Sequence, residues 1–221
     1  MASSIVHLAI VSELIKKLDF SDPDRLKFGA VVADAGVKGN SHLKINVMDD
    51  KKKTYDFDGF RAMFGKKMLT DDLYLGYYLH LVQDALYRHY VYDRHHWNPT
   101  LQGSIEKLHK DYALVNPYLE EKYVLVNDLK IPEGFENEDI NRLCIFDAPG
   151  FMKELATYFI PVPEEPIFFF TKEMSDEFIG EAVEYCIEEI RKIRNGEKGI
   201  DMMEYAWYRG GTPHNTEEND K

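Results

Sequence analysis

The chain has 221 residues, of which 44% are hydrophobic and 30% are charged, so it is predicted to be ordered and to form one sizeable hydrophobic core. Acidic residues outnumber basic residues by 39 to 27, which gives a formal net charge of −12 and disfavours binding to bulk nucleic acid. A small phosphorylated substrate remains compatible with this charge if a bound cation neutralises the phosphate locally.

Two helices are predicted near the N-terminus. The first begins at Ser3 or Ser4, because a serine hydroxyl suits the N-cap position and an apolar periodic run follows. The second begins with Asp22 as its N-cap and Pro23 in its first turn, and it ends at Gly36.

The next region is predicted to be a loop followed by one long helix. Residues 37–60 form the loop, with a brief hairpin around Ile45–Val47 and a solvated turn at Lys51–Lys53. The long helix extends from about Thr70 to Asp93, and the segment "HHWNPT", which contains Pro99, ends it.

The second half of the chain predicts further helices and almost no strand. The proline-rich segment 160–170 is expected to be extended, and the aromatic-rich part from Phe168 to Trp207 is expected to belong to the core rather than to form a lid. The predicted fold is therefore all-α, a single bundle-like domain over residues 1–210 with a disordered tail at 211–221. The expected helices cover residues 104–117, 118–128, 147–158 and 175–194.

Cysteine usage and the N-terminal run indicate the compartment. Cys144 and Cys186 are too few for a disulfide framework and are expected to be buried thiols. The N-terminal apolar run has no basic segment before it and is interrupted by Glu13, so neither a secretory signal nor a membrane span is predicted. The expected compartment is the cytoplasm.

Five histidines and aspartates in the first ninety residues suggest a metal site. His80 and Asp84 are four residues apart and share one face of a helix that is otherwise apolar. His7 lies among apolar residues of the first helix, Asp34 lies at the unfavourable negative end of the second, and His42 lies in the loop beyond it. Nitrogen and oxygen donors without sulfur favour a catalytic zinc, manganese or iron ion with an open coordination position.

Each of these residues also has an ordinary structural explanation. His7 is then a hydrogen-bonded core histidine, His42 a loop residue bonded to backbone carbonyls, and Asp34 a turn residue. His80 and Asp84 are then a buried ion pair that fixes the packing of the helix. The metal hypothesis accounts for all five positions at once, whereas the structural explanations require several independent coincidences.

Other polar residues of the long helix are weaker candidates. His89 and Asp93 repeat the His-x-x-x-Asp spacing, but His89 lies on the opposite side of the helix from His80. Arg88 is expected either to bind a phosphate oxygen or to pair with a nearby acid. Tyr77 is expected either to pack or to donate a hydrogen bond behind the metal ligands.

The segments "SSIVHLAIVSEL", "FGAVVADAG", "SHL" and "LGYYLHLVQDALYR" together resemble the zinc-dependent phospholipase C family, which is related to the fungal single-strand nucleases. The chain looks closest to compact bacterial cytoplasmic relatives, and the resemblance covers roughly the first ninety-five residues. It implies an all-helical fold with metal between helices and hydrolysis of phosphate esters. It also implies that Asp34, His42, His80 and Asp84 are the main ligands, that Asp34 orients or deprotonates the attacking water, and that His7 binds a neighbouring ion.

The chain departs from the family pattern in one way that matters for the metal count. The later His-x-x-x-Glu pair of the family has no counterpart in residues 1–210, so one or two ions are expected instead of three. A metal-activated water would then attack a phosphodiester or phosphomonoester, with Asp34 positioning the water and Arg88 or the ion stabilising negative charge. Helical phosphohydrolases with an adjacent His-Asp doublet are disfavoured because no such doublet occurs. The alternative is a non-catalytic metal-binding or sensor module with a degenerate site.

Overall fold

The computed structural model describes residues 2–208, and helices dominate this part of the chain. Its seven α-helices have these bounds: α1 Ser4–Lys17, α2 Pro23–Val32, α3 Phe57–Met68, α4 Asp72–Arg88, α5 Ser104–Tyr123, α6 Ala148–Thr157 and α7 Lys172–Arg194. Its strands are β1 Gly36–Gly39, β2 Lys44–Val47, β3 Lys52–Tyr55, β4 Cys144–Phe146 and β5 Trp207–Tyr208. The prediction of a mostly helical fold is confirmed, but the strictly all-α prediction is wrong because two small antiparallel sheets are present, β1–β4 and β2–β3–β5.

Helix α4 is the central helix, since all but two of its residues are buried. It packs closely against α2, where Gly29 and Gly76 allow the two backbones to touch. A Cβ atom on Gly29 would lie 2.2 Å from the Leu73 carbonyl oxygen, and one on Gly76 would lie 2.2 Å from the Leu26 carbonyl oxygen. This glycine contact brings the C-terminal end of α2 against the face of α4 that carries the predicted ligands.

The predicted loop at residues 37–60 contains most of the unexpected structure. The hairpin at Ile45–Val47 is confirmed, since β2 and β3 pair with Ile45 opposite Thr54. The predicted turn at Lys51–Lys53 is correct for Lys51 only, because Lys52 and Lys53 lie in β3. The hairpin turns earlier, through three successive residues with positive φ, Met48–Asp50.

Helix α3 begins inside the same predicted loop and was not anticipated. Asp56 caps it by accepting a hydrogen bond from the Gly59 amide at 2.8 Å. Its buried residues recur every three or four positions, which is the pattern of a helix with one face in the core. These residues are Phe57, Phe60, Phe64 and Met68.

Helix boundaries differ from the prediction at four other places. Helix α2 ends at Val32 and not at Gly36, because a short 3-10 turn at Ala33–Ala35 follows it and Gly36 lies in β1. Helix α4 ends at Arg88, and residues 89–94 continue as a single wider π-helical turn. Helix α5 runs unbroken through Pro117 to Tyr123, so the predicted break and the second helix to residue 128 are wrong. Val115 and Leu119 on either side of the proline are buried, and this packing holds the helix together despite the missing backbone donor. Helix α7 begins at Lys172 instead of Ser175, because Thr171 caps it.

Several other predictions for the described residues agree with the structure. Ser3 caps α1, Asp147 caps α6, and the segment 160–170 is non-helical. Both cysteines are buried and free. Phe170, Phe178 and Ile200 lie in the core, as expected for this region. Within residues 2–208 no helix has both the length and the apolar character needed to cross a membrane, and the predicted tail at 211–221 lies outside the described residues.

Candidate metal centre

The five predicted ligands come from four separate parts of the fold and meet at one point. His7 lies on α1, Asp34 on the short 3-10 turn that follows α2, His42 in the loop between β1 and β2, and His80 and Asp84 on α4. His7, His80 and Asp84 are fully buried, while the side chains of His42 and Asp34 are 11% and 17% exposed. The sequence prediction that these residues share a centre is consistent with this arrangement.

Four ligand atoms have the spacing of a metal coordination sphere. His42 Nε2 lies 3.2 Å from His80 Nε2, 3.3 Å from Asp34 Oδ1 and 3.6 Å from Asp84 Oδ2. His80 Nε2 lies 3.8 Å from Asp34 Oδ1 and 3.7 Å from Asp84 Oδ2. A tetrahedral zinc ion with ligands at about 2.0–2.1 Å separates neighbouring ligand atoms by about 3.3–3.4 Å. These separations therefore suit a single divalent ion after small adjustments.

Each ligand is also held from behind by a hydrogen bond. His80 Nδ1 donates to the Ala30 carbonyl oxygen at 2.9 Å, which leaves the Nε2 lone pair of the neutral ring directed at the centre. The other four partners are Gln83 for His7 at 2.7 Å, Ser4 for Asp34 at 3.1 Å, Ser41 for His42 at 3.0 Å, and the Ala2 amide for Asp84 at 3.0 Å. Such outer partners are typical of metal sites because they fix the tautomer and orientation of the ligands.

Two atoms of the cluster lack a hydrogen-bond partner within the described part of the chain. Both His7 Nε2 and Asp84 Oδ2 are buried, and an unpartnered buried polar atom normally costs about 1–3 kcal/mol. A cation bound at the centre would satisfy Asp84 Oδ2, which points at His42 and His80. The donor set therefore fits a metal ion better than it fits a closed hydrogen-bond network.

His7 belongs to a second, overlapping group of ligand atoms. Two sets are spaced for a metal, Asp34 with His42 and His80, and His7 with His80 and Asp84. His80 offers only Nε2 to both sets, because its Nδ1 is bonded to the Ala30 carbonyl. The two sets cannot be complete at once, so the geometry favours one tightly held ion, with His7 and Asp84 Oδ1 remaining for a second, weaker one.

The electrostatics keep His80, Asp34 and Asp84 in their metal-binding protonation states. Burial lowers the pKa of His80 to about 4, with the charge of His7 acting in the same direction, so His80 is neutral at neutral pH. Burial alone would raise the pKa of Asp84, but the neighbouring His7 and His80 rings hold it well below its usual range. Asp84 in turn raises the pKa of His7, although burial acts in the opposite direction. The pKa of Asp34 is also lowered against its burial, mainly by His80 and His42.

An open cleft reaches the centre at Asp34. Its volume is about 460 Å³, a size suited to a small organic ligand. Of the five predicted ligands, only Asp34 is part of the lining, and Asp84 is completely buried. The lining also includes Ser4 from α1, Tyr112 and Asn116 from α5, Phe151 from α6, and Tyr158 directly after α6.

Arg88 does not line this cleft. Its guanidinium carbon lies 4.1 Å from the ring centroid of Tyr92 and 4.5 Å from that of Trp207, and its Nε is buried without a hydrogen-bond partner among the described residues. The guanidinium therefore makes cation–π contacts with two aromatic rings. The structure thus places Arg88 one helical turn beyond Asp84 without bringing it to the cleft.

The weaker sequence candidates behave differently from one another. Tyr77 donates a hydrogen bond to the Ser41 carbonyl oxygen at 2.5 Å and so supports the loop that carries His42. His89 and Asp93 form a largely exposed pair at 3.1 Å, and no third ligand atom of the described residues joins them in a metal group.

The supporting residues Ser4, Ser41 and Gln83 were missed by the sequence analysis. A serine at position 4 is already accounted for in the sequence as a possible N-cap of the first helix. Nothing in the sequence therefore indicates its hydrogen bond to Asp34. Gln83 directly precedes Asp84 in an apolar helix, and a polar residue there could have been recognised as an additional partner for a buried histidine.

Comparisons of the chain with protein-family models, with curated proteins and with solved structures find no match. The geometry of the centre and the motifs of the first ninety-five residues therefore provide the support for a function.

Proposed function

We propose that this protein is a metal-dependent hydrolase of phosphate esters, with one divalent ion held by Asp34, His42, His80 and Asp84. The observation that carries the proposal is a pair of imidazole nitrogens, His42 Nε2 and His80 Nε2, that lie 3.2 Å apart and each within 3.3–3.8 Å of one carboxylate oxygen of Asp34 and one of Asp84. They lie at the end of an open cleft that Asp34 lines. A mixed His/Asp set without sulfur favours zinc, with manganese or iron as alternatives. The motif resemblance to zinc-dependent phospholipases C supports the same reaction class and a related helical fold.

The ion would lower the pKa of a bound water and polarise a phosphoryl oxygen. Asp34 is assigned the second role of orienting this water, because it is the ligand that lines the cleft. The Ser4 hydroxyl donates a hydrogen bond to Asp34 Oδ2, and Asp34 Oδ1 faces His42. The Asp34 carboxylate is therefore held between these two residues. Asp84 is a ligand only, since its carboxylate is sealed from the cleft.

The substrate is proposed to be a small phosphate mono- or diester whose phosphate binds at the ion. The net charge of −12 would otherwise repel such a substrate, and the bound cation reverses this effect locally. Arg88 is assigned a supporting role through its positive charge one turn from Asp84, since it does not line the cleft.

A non-catalytic metal-binding or sensor module is the second candidate, because the same ligands could bind an ion without turnover. The open cleft at Asp34 favours the hydrolase. Both candidates predict bound metal, so activity separates them.

The test uses protein stripped with a chelator, reloaded with Zn²⁺, Mn²⁺ or Fe²⁺, and assayed on a panel of chromogenic phosphate mono- and diesters. We expect one ion per chain by elemental analysis and turnover that depends on it. Asp34→Asn should lower kcat by at least about 100-fold, whereas His89→Asn, on the π-helical turn after α4, should leave it unchanged. Bound metal without turnover on any ester would favour the sensor module, and no bound metal would overturn both candidates.

A further inference from the structure

We propose that Gln83 is a positioning residue that fixes the tautomer and ring orientation of His7, and that it thereby sets how strongly His7 contributes to metal binding. This inference rests on the proposed metal centre and extends it to a residue that does not touch the ion. Both side chains are completely buried, His7 on α1 and Gln83 on α4, so the pair also links two helices through a polar contact in the core.

The direction of the hydrogen bond determines what His7 can do. His7 Nδ1 lies 2.7 Å from Gln83 Oε1, and an amide oxygen can only accept, so Nδ1 carries a proton. Nε2 is then the nitrogen that faces Asp84 Oδ1 at 3.5 Å, and it has no hydrogen-bond partner among the described residues. In the neutral ring, the Nε2 lone pair and the adjacent carboxylate oxygen form a ligand pair for a cation.

A second contact restrains the same ring. His7 stacks on His80 with ring centroids 4.2 Å apart and an interplanar angle of 27°. Stacking sets the plane of the ring but permits it to turn within that plane or to change tautomer. The bond to Gln83 removes this freedom, so the stack and the amide together orient Nε2. Loss of such an outer partner typically weakens metal affinity by about 10- to 100-fold.

Gln83 could also be kept only because a buried histidine needs a hydrogen-bond partner. The two roles differ in one respect, since a positioning residue acts through His7 whereas a general packing role does not. Removing His7 should therefore abolish the effect of Gln83 on metal affinity if the inference is correct.

The experiment is a double-mutant cycle on zinc affinity, measured by competition with a chromophoric chelator. The variants are Gln83→Met, which has similar size and no amide, His7→Phe, which keeps the stacked ring, and the double variant. The readout is the second, weaker Zn²⁺ ion, for which His7 and Asp84 Oδ1 are available. We expect Gln83→Met to weaken binding of this ion by about 10- to 100-fold in the normal background and to have no further effect beside His7→Phe. Gln83→Glu keeps the acceptor and should restore most of the affinity. Equal weakening in both backgrounds, or none in either, would overturn the inference.

A measurement on metal-free protein covers the case in which Gln83→Met does not fold. Long-range ¹H–¹⁵N spectra of the normal chain and of Gln83→Glu should show the His7 proton on Nδ1, and a proton found on Nε2 alone would overturn the inference. These two experiments do not test the hydrolase proposal, because neither zinc affinity nor the His7 protonation site depends on turnover. Coupling in the cycle without ester hydrolysis would refute the hydrolase only, and hydrolysis without coupling would refute the role of Gln83 only.

Discussion

His80→Asn tests the metal centre with the least disturbance of the surrounding core. Asparagine places an amide nitrogen near the position of imidazole Nδ1, so the 2.9 Å bond to the Ala30 carbonyl can be kept. The substitution removes Nε2, which lies within 3.2–3.8 Å of His42, Asp34 and Asp84. Its effect should therefore appear mainly when metal is present.

The expected size follows from linkage between binding and folding. At a free zinc concentration of 1,000 times Kd, one bound ion stabilises the folded chain by about 4.1 kcal/mol, or about 8–16 °C in Tm for a chain of this size. If loss of one of four ligands raises Kd about 100-fold, the remaining stabilisation is about 1.4 kcal/mol. His80→Asn should thus lose about 2.7 kcal/mol of the zinc-dependent stability, or about 5–11 °C. In metal-free protein the change should be near 1 kcal/mol.

The assay is thermal unfolding with chelator and with a buffered zinc concentration, on the normal chain and on two variants. His89→Asn is the matched control, because it makes the same replacement on the same helical segment at an exposed residue. It should keep the full zinc-dependent increase in Tm. If His80→Asn also keeps the full increase, His80 is not a ligand and the centre described above is refuted.

Three further predictions concern the metal-free centre and the rest of the fold. In metal-free protein, the pKa of His80 is about 4 in the folded state and 6.5 in the unfolded state. The stability contributed by neutral His80 is therefore complete above pH 6.5, and about 3 kcal/mol of it is lost as the pH falls to 4. Urea unfolding at several pH values should show this dependence on pH, and His80→Asn should abolish it. Asp111 accepts hydrogen bonds from three backbone amides, including those of Phe169 and Phe170 at 2.7 and 2.9 Å. Asp111→Asn should therefore lower the free energy of unfolding, measured in urea, by about 3 kcal/mol. A change below about 0.5 kcal/mol would contradict this account. Val124 follows the last residue of α5, has a φ of 55° and is 75% exposed. Val124→Gly should raise Tm, because glycine relieves about 1 kcal/mol of backbone strain at this position. A lower Tm would show that the valine is not strained.

The helices that carry the ligands were predictable because their sequence signals agree with one another. Ser3 before an apolar run marks the start of α1, and the periodic apolar pattern of α4 places His80 and Asp84 on one face. Histidine and aspartate inside such a pattern are costly unless they have partners. Their presence on four separate segments therefore predicts a shared centre from the sequence.

The three-stranded sheet around the hairpin and helix α3 were not predicted, for two different reasons. Strands β2 and β3 are short and rich in lysine, so their alternation is weak, and the pairing of β3 with β5 depends on residues more than 150 positions away along the chain. The sequence signal for helix α3 is weak because glycines and lysines interrupt its apolar pattern. Asp56 followed by Phe57 and Phe60 is nevertheless the pattern of an N-cap before an apolar helix face. Pro117 misled the reading of α5 because packing, and not propensity, keeps that helix continuous.

The geometry of the centre depends on a contact whose purpose the sequence did not reveal. Gly29 and Gly76 allow α2 and α4 to approach until backbone atoms touch, and only this distance brings the Ala30 carbonyl to His80. A side chain at either glycine would push α2 away from α4 and separate Asp34 from His80. The ligand types could be read from the sequence because they are chemically unusual in apolar helices, whereas the spacing that makes them a site comes from residues with no side chain at all. Any argument from sequence to a buried metal centre must therefore include the small residues that set the distance between its helices.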